Sequence, residues 1–371
     1  MAILIGSSVG CLPLISELSK RGEQLKLIGH SKSQMGALLS ENFSEVNYND
    51  KDIFFRVLDA SIDVDKDILI YPGPHDLCYK VYVEYLVSKK KIPDRALFIT
   101  ERLHNKRLFR RHLSKISGIY SPWHYEYGIE LNPNEFNSFP VLFKPDHAGG
   151  GRGICQINNE IEYIKFSKDN SPDAVRGIIE EVVEGNLYSI SLWLKQGKPI
   201  FFYGEREFVN QKIFRVNGSV SSNHIQSIFI ELKIPEILSE ILSEFEIYDG
   251  FCHTQIMISG SGSWKIIESM LRFPGDMYSY NVDNFGALPY SSYYLDTFNK
   301  KSGFDKVRKK IYPTESTYGR VMLKKRDQLK DFIVPFAEFR SHKEDHNDLY
   351  RILFFKTGLD LHNYDEFCVA I

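Results

Sequence analysis

The chain has 371 residues, of which 43% are hydrophobic and 25% charged, with a formal net charge of −2. That balance describes a globular protein with ample core, and the length points to two or three domains. A near-neutral charge argues against nucleic acid as the principal partner, and no apolar run reaches the ~18 residues of a membrane helix.

The first hundred residues alternate short apolar runs with amphipathic stretches. Ala2–Gly6, Leu25–Gly29 and Ile68–Tyr71 read as strands, Leu97–Thr100 as a fourth, and Leu12–Arg21 as a helix. Strands separated by helical segments predict a parallel, Rossmann-like α/β layer. The turn Gly6–Gly10 lacks the Gly-x-Gly-x-x-Gly spacing, so a nicotinamide site is not expected there. The stretch Leu103–Ile116 is a basic helix with Phe109, Leu113 and Ile116 as its buried stripe, ended by Gly118. The pattern then turns to hairpins. Ser189–Lys195 and Ile200–Tyr203 flank Gln196-Gly197, and Gln255–Ser259 and Trp264–Glu268 flank Gly260–Gly262. These predict an antiparallel sheet. The last seventy residues, with the runs Arg308–Lys310 and Lys324–Arg326, read as solvated helix faces. The five scattered cysteines include no Cys-x-x-Cys pair, which leaves reduced thiols and a cytoplasmic location as the expectation.

Four segments carry chemistry. In Phe143–Ile154 a strand delivers Lys144, and Gly149, Gly150, Gly151 and Gly153 follow within nine residues. Backbone without side chains can close its N–H groups around phosphate oxygens, and a lysine there adds a charge-assisted bond of ~1.5–3 kcal/mol. No Gly-Lys-Ser/Thr follows, so this is not a Walker loop. In Ile178–Ile190, apolar residues bracket Glu180, Glu181 and Glu184, as a strand crossing between layers would; an exposed acidic turn is the alternative. In Ile266–Asp276, Glu268 at a strand end suits Mg2+, Arg272 can fork onto a carboxylate or phosphate, and Gln255 faces the same cleft across the hairpin. Lys106 opens the basic helix. His147, Arg206, His224 and His253 are further candidate contacts, read first as structural, and most rings of Tyr278–Tyr294 are read as core.

In this order the four segments resemble the ATP-grasp superfamily over roughly residues 95–290, and the Pro274-Gly275-Asp276 ending resembles its carboxylate–amine ligase branch. The resemblance implies an ATP-grasp fold preceded by a Rossmann-like domain. The divisions would be 1–95 for that domain, 96–175 for the central subdomain, 176–300 for the C-terminal subdomain and 301–371 for an accessory segment. It implies ATP and Mg2+ as cofactors, small-molecule carboxylate and amine substrates, and a homodimer. Carried over residue by residue, Lys106, Lys144 and His147 would meet phosphates beneath a lid of Gly149–Gly153. Glu180 and the segment Glu181, Val183 and Glu184 would read adenine and ribose. Glu268 and Gln255 would hold metal, and Arg272 and Lys144 would be catalytic. The chain departs from the family pattern at Gln255, usually a carboxylate, at Met270, usually an asparagine, and at Leu187, usually a ribose-binding acid. These departures keep open a nucleotide-binding module without turnover, and a ligase acting on a peptide or protein terminus is a further alternative.

Overall fold

A computed structural model describes residues 1–62, 68–127, 133, 136–147, 149–171, 174–210, 214–285 and 289–299, together with five strands between 317 and 369. Strands β1 (Ala2–Ile5), β2 (Leu25–Gly29), β3 (Phe43–Glu45) and β4 (Leu69–Pro72) pair in parallel in the order β3-β2-β1-β4. All four residues of β1 are buried, which is why that strand reads as an unbroken apolar run. Leu97–Thr100 is not a strand; it belongs to the helix Arg95–His104. Only one side of that run is covered. Leu103 is buried, whereas Phe98 lies exposed with the guanidinium groups of Arg95 and Arg102 over its ring, 5.5 and 4.2 Å from the centroid. The fourth strand is β3, whose three residues are too few to show a period.

The basic helix is Lys106–Ser117, capped by the Asn105 side chain accepting from the Leu108 N–H. It leads into a small antiparallel sheet of β5 (His124–Tyr127), β6 (Val141–Pro145), β7 (Cys155–Ile157) and β8 (Gly177–Glu181), ordered β5-β8-β6-β7. Residues 182–185 then cross to a second sheet. At the crossing Gly185 has φ 138°, and a Cβ there would stand 2.3 Å from the Ile258 carbonyl oxygen, so only glycine fits.

The second sheet starts with the two predicted hairpins. One is β9 (Asn186–Lys195) and β10 (Lys198–Asn210), turning on Gln196 and Gly197 with φ of 52° and 73°. β11 (Arg215–Ser221) follows. The other hairpin is β12 (Gly250–Ile258) and β13 (Trp264–Met270). The C-terminal strands β14 (Thr317–Lys324), β16 (Pro335–Arg340) and β17 (Leu349–Thr357) complete an eight-stranded antiparallel sheet, ordered β13-β12-β9-β10-β11-β14-β17-β16. The short β15 (Gln328–Leu329) and β18 (Cys368–Val369) pair separately. Solvated helix faces are therefore not what this segment forms. Leu353 and Phe355 pack into one core and Phe354 into another, the period of two that a strand covered on both faces requires. Residues 308–310 and 325–326 of the charged runs lie outside the described residues.

Two cores sandwich the large sheet. On one face Tyr188, Ile190, Leu192 and Leu194 pack against Phe229, Leu238 and Phe109. On the other, Trp193, Phe251, Tyr278, Tyr290 and Tyr294 join Ala2, Leu4 and Leu14 of the parallel layer, so those tyrosines are core, as read.

Arg110 ties the helix to both antiparallel sheets. Its Nε donates to Glu180 Oε2 at 2.7 Å, and its Nη1 and Nη2 donate to the carbonyls of Ile266 and Ile267 at 2.7 and 2.8 Å. Lys144 Nζ closes on Glu180 Oε1. Burial alone would raise the Glu180 carboxyl, but Arg110 and then Lys144 outweigh it and hold the group at about 2. A depressed acid contributes stability above its unfolded value of 4.5 and loses it as pH falls towards about 2. Two outcomes follow. Arg110→Met, measured by urea unfolding at pH 7, should cost ~3–5 kcal/mol, the loss typical of breaking a buried pair. Glu180→Gln should flatten the fall in stability between pH 4.5 and 2; an unchanged slope would show that another carboxylate drives it.

Candidate functional site

Directly paired residues of antiparallel strands share a face, so register alone maps what the large sheet presents towards the parallel layer. Four successive rows run across it. The first is Phe251, Trp193 and Phe201, and the second is Met270, His253, Ser191 and Tyr203. The third is Glu268, Gln255, Ser189 and Glu205. The fourth is Leu187, Glu207, Ser219 and Arg320. The face thus changes from aromatic to carboxylate within three steps along the strands. Glu268 and Gln255 are cross-strand partners, the juxtaposition expected from the hairpin.

The second row is a closed polar set. Ser191 Oγ lies 2.8 Å from His253 Nδ1 and 2.6 Å from Tyr290 Oη. Burial lowers the His253 pKa to about 3, so the ring is neutral at physiological pH. In the lower rows Gln255 Nε2 donates to Glu207 Oε2 at 2.6 Å. Arg320 donates from Nε to Ser219 Oγ at 2.9 Å and from Nη1 to the Asp276 carbonyl at 2.7 Å, while its Nη2 lies 2.8 Å from Asp276 Oδ2. Burial raises Glu205 to about 7 and raises Glu207 as well, with Asp276 adding to both.

The glycine-rich loop reaches this face through Asp76. A Cβ on Gly149 would stand 3.5 Å from Asp76 Oδ2, and Asp76 Oδ1 accepts from Arg272 Nε. Burial would raise the Asp76 carboxyl, but the Arg272 guanidinium holds it well below the usual range. Gly150, Gly151 and Gly153 have φ of 65°, 77° and 72°, left-handed backbone that lets successive N–H groups converge on an anion. Arg152 Nε donates to the Gly149 carbonyl at 3.1 Å.

At the helix start, the Lys106 N–H donates to the Asp146 carbonyl at 3.1 Å and Arg107 Nε donates to both Asp146 oxygens at 2.8 and 2.9 Å. These contacts seat the start of the helix against Asp146, two residues beyond Lys144 and just past the end of β6. His147 Nε2 lies 3.3 Å from both Asn105 Nδ2 and Glu101 Oε1, more than half exposed at this junction. Glu180, read as an acceptor for an adenine amine, instead commits its oxygens to Arg110 and Lys144. The Glu181 N–H donates to the Trp123 carbonyl at 3.2 Å and its carboxylate takes the Trp123 N–H at 3.0 Å. Val183 and Glu184 sit in the crossing segment, half-buried and exposed.

For magnesium, the fit is to a sparse set. Such an ion takes one or two carboxylates together with phosphate oxygens. Glu268 would supply the carboxylate, and Gln255, whose amide nitrogen donates to Glu207, would offer its carbonyl oxygen. Among the described residues there is no group of three or more His, Cys, Asp or Glu suited to hold an ion alone.

Sequence reading missed Asp76, Arg110, Glu205, Glu207 and Arg320. Glu205, Arg206 and Glu207 look like an exposed charged strand; the period of two turns both acids inward and Arg206 towards Asn186, 2.7 Å away. Asp76 and Arg320 lie too far along the chain from their partners for any motif to join them.

No family model matches the chain, and no curated protein matches it by sequence. Solved structures do. An L-amino acid ligase from Bacillus licheniformis superposes with a TM-score of 0.74 at 15% identity, covering 98% of this chain and 94% of that one. An N5-carboxyaminoimidazole synthetase from Staphylococcus aureus, complexed with ADP, gives 0.69 at 13%, covering 96% and 92%. The biotin carboxylase domain dimer of a Hydrogenobacter thermophilus 2-oxoglutarate carboxylase, in complex with MgADP and bicarbonate, gives 0.67 at 12%, covering 96% and 86%. No helix among the described residues is long and apolar enough to cross a membrane. The chain therefore has the ATP-grasp fold, a Rossmann-like parallel layer followed by a small and a large antiparallel sheet.

Proposed function

We propose that the protein is an ATP-dependent ligase that joins a small-molecule carboxylate to an amine through an acyl phosphate, releasing ADP and phosphate. The observation that carries this reading is the position of Asp76: one oxygen would lie 3.5 Å from a Cβ built on Gly149 of the loop, and the other accepts from Arg272, four residues beyond Glu268. Asp76 thereby brings the loop close to the arginine, which supports this reading.

Each residue then has a part. Lys144, its ammonium fixed by Glu180, neutralises phosphate oxygens while the N–H groups of the glycine loop hydrogen-bond them. The Glu181 carbonyl and the Val183 N–H offer adenine an acceptor and a donor, and Glu184 lies where ribose would follow. Magnesium, when bound through Glu268 and Gln255, supplies positive charge to the phosphate oxygens. Arg272 holds the acid beside them. A carboxylate oxygen attacks the γ-phosphorus and the bond to ADP breaks; the amine nitrogen then attacks the acyl carbon, phosphate leaves, and the amine proton passes to solvent. The loop, closed over this step, excludes water that would otherwise take the amine's place. The L-amino acid ligase and the ADP-bound synthetase named above support the reading by their fold.

A second reading, a nucleotide-binding module without turnover, draws on Gln255 and on Met270, whose thioether is too soft for Mg2+. Turnover separates the two: purified protein should release ADP and phosphate only when Mg2+, an acid and an amine are all present. Binding of ATP with no turnover on any acid and amine supports the module, and AMP with pyrophosphate overturns the acyl-phosphate route. Lys144→Ala should weaken ATP binding ~10–100-fold in calorimetry, the equivalent of a charge-assisted bond. Asp76→Asn, which loosens Arg272 without touching the nucleotide, should lower kcat about tenfold while leaving ATP affinity in place.

A further inference from the structure

One face of the molecule carries opposite charges near one another, with exposed rings among them. Its basic part is a groove of about 540 Å3 between the end of helix Asp76–Ser88 and the start of helix Arg95–His104. Val87, Ile92 and Pro93 give it an apolar lining, and Lys90, Lys91 and Asp94 stand beside them. Both lysines are exposed, and among the described residues neither ammonium meets a carboxylate. The acidic part is the outer side of helix Ile234–Glu244. Glu236, Glu240 and Glu244 are exposed there, while Leu238, Ile241 and Leu242 are buried. A spacing of four puts the three carboxylates on one stripe, where like charges repel. Among the described residues no ammonium or guanidinium pairs with any of them.

Helix Arg95–His104 joins the two parts. Arg95, next to Asp94 of the groove, forks onto the carboxylate of Glu246, two residues past Glu244, and Arg102 lies 3.7 Å from the same carboxylate. Helical spacing puts Arg95, Phe98 and Arg102 on one side, with the Phe98 ring half exposed between the two guanidinium groups. Tyr248, two residues past Glu246, is half exposed as well. Aromatic rings and arginines are what protein interfaces gather at their centre, with charged side chains around the rim.

We propose that this face binds a second copy of the chain about a two-fold axis. Lys90 and Lys91 of each copy then meet Glu240 and Glu244 of the other, and the two Phe98 rings lie near the axis. A surface with bases on one side, acids on the other and rings between is complementary to itself after a half-turn. A purely acidic partner would answer the lysines and leave the glutamate stripe bare, and a purely basic one would do the reverse. A second copy answers both at once. Because each copy uses both of its charged parts, the contact closes at two chains and leaves nothing for a third.

The test is sedimentation of the full chain over a range of protein concentrations, at about 0.05 M and about 1 M NaCl. At the lower salt the mass should reach twice 43.0 kDa and stop there. At the higher salt, where rim charges are screened, association should weaken about tenfold. Two swapped chains carry the decisive comparison. Lys90→Glu with Lys91→Glu leaves a chain acidic in both parts, and Glu240→Lys with Glu244→Lys leaves one basic in both. Each alone should stay monomeric, and an equal mixture should pair again, because both contacts are then restored. All four positions are exposed, so the swaps spare the core. Phe98→Ala should weaken the unaltered dimer about tenfold. A monomer at every concentration, a dimer indifferent to the swaps, a mixture that does not pair, or growth beyond two chains each overturns the proposal. ADP release by the same chains reports on the ligase reading and not on the dimer.

Discussion

The ion pair of Arg110 and Glu180 is the constraint on which the arrangement of this molecule rests. A guanidinium and a carboxylate taken out of water together lose several kcal/mol of hydration each, and recover it only if every donor and acceptor finds a partner. Here they do. Three arginine nitrogens meet Glu180 and two carbonyls of β13, and the remaining Glu180 oxygen meets Lys144. Because those partners come from a helix, the small sheet and the large sheet, satisfying one buried charge fixes the relative position of three elements. Lys144, which begins the glycine-rich segment, is placed by the same event.

The large sheet adds a division of labour along its strands. Its upper rows of tryptophan, phenylalanine and tyrosine bind the parallel layer through apolar area, and its lower rows carry the carboxylates. Strand alternation lets one strand serve both purposes, as β10 does with Phe201 and Tyr203 near one end and Glu205 and Glu207 towards the other. The Ser191, His253 and Tyr290 set lies between, a neutral hydrogen-bonded band that separates oily contact from charge.

Much of this was legible in the sequence where the signal is local. β1 is a continuous apolar run, Gln196-Gly197 specifies a hairpin turn, and the glycines after β6 take the left-handed backbone at Gly150, Gly151 and Gly153 that their residue type allows. The reading failed where local pattern is ambiguous or partners are distant. Leu97–Thr100 has the apolar density of a strand but one covered side, and β3 is too short to have a period. The C-terminal strands are hidden by charged residues between them. Glu205 and Glu207 look solvated until the sheet is drawn, because a period of two says which residues share a face but not which face is inside. The contact of Asp76 with Arg272 spans 196 positions, and no spacing rule reaches that far.

Arg320 gives the site a calendar. The residues read as holding nucleotide and metal all precede position 269, yet the guanidinium that counters Asp276 and Glu205 stands some fifty residues further on. During synthesis on the ribosome, the earlier elements leave the exit tunnel first, and their acids face one another without a counter-charge until β14 arrives. The acidic rows are thus completed by a strand made after the elements that carry their carboxylates, and a nascent chain stalled before that strand would carry the glycine-rich loop without a settled acidic floor.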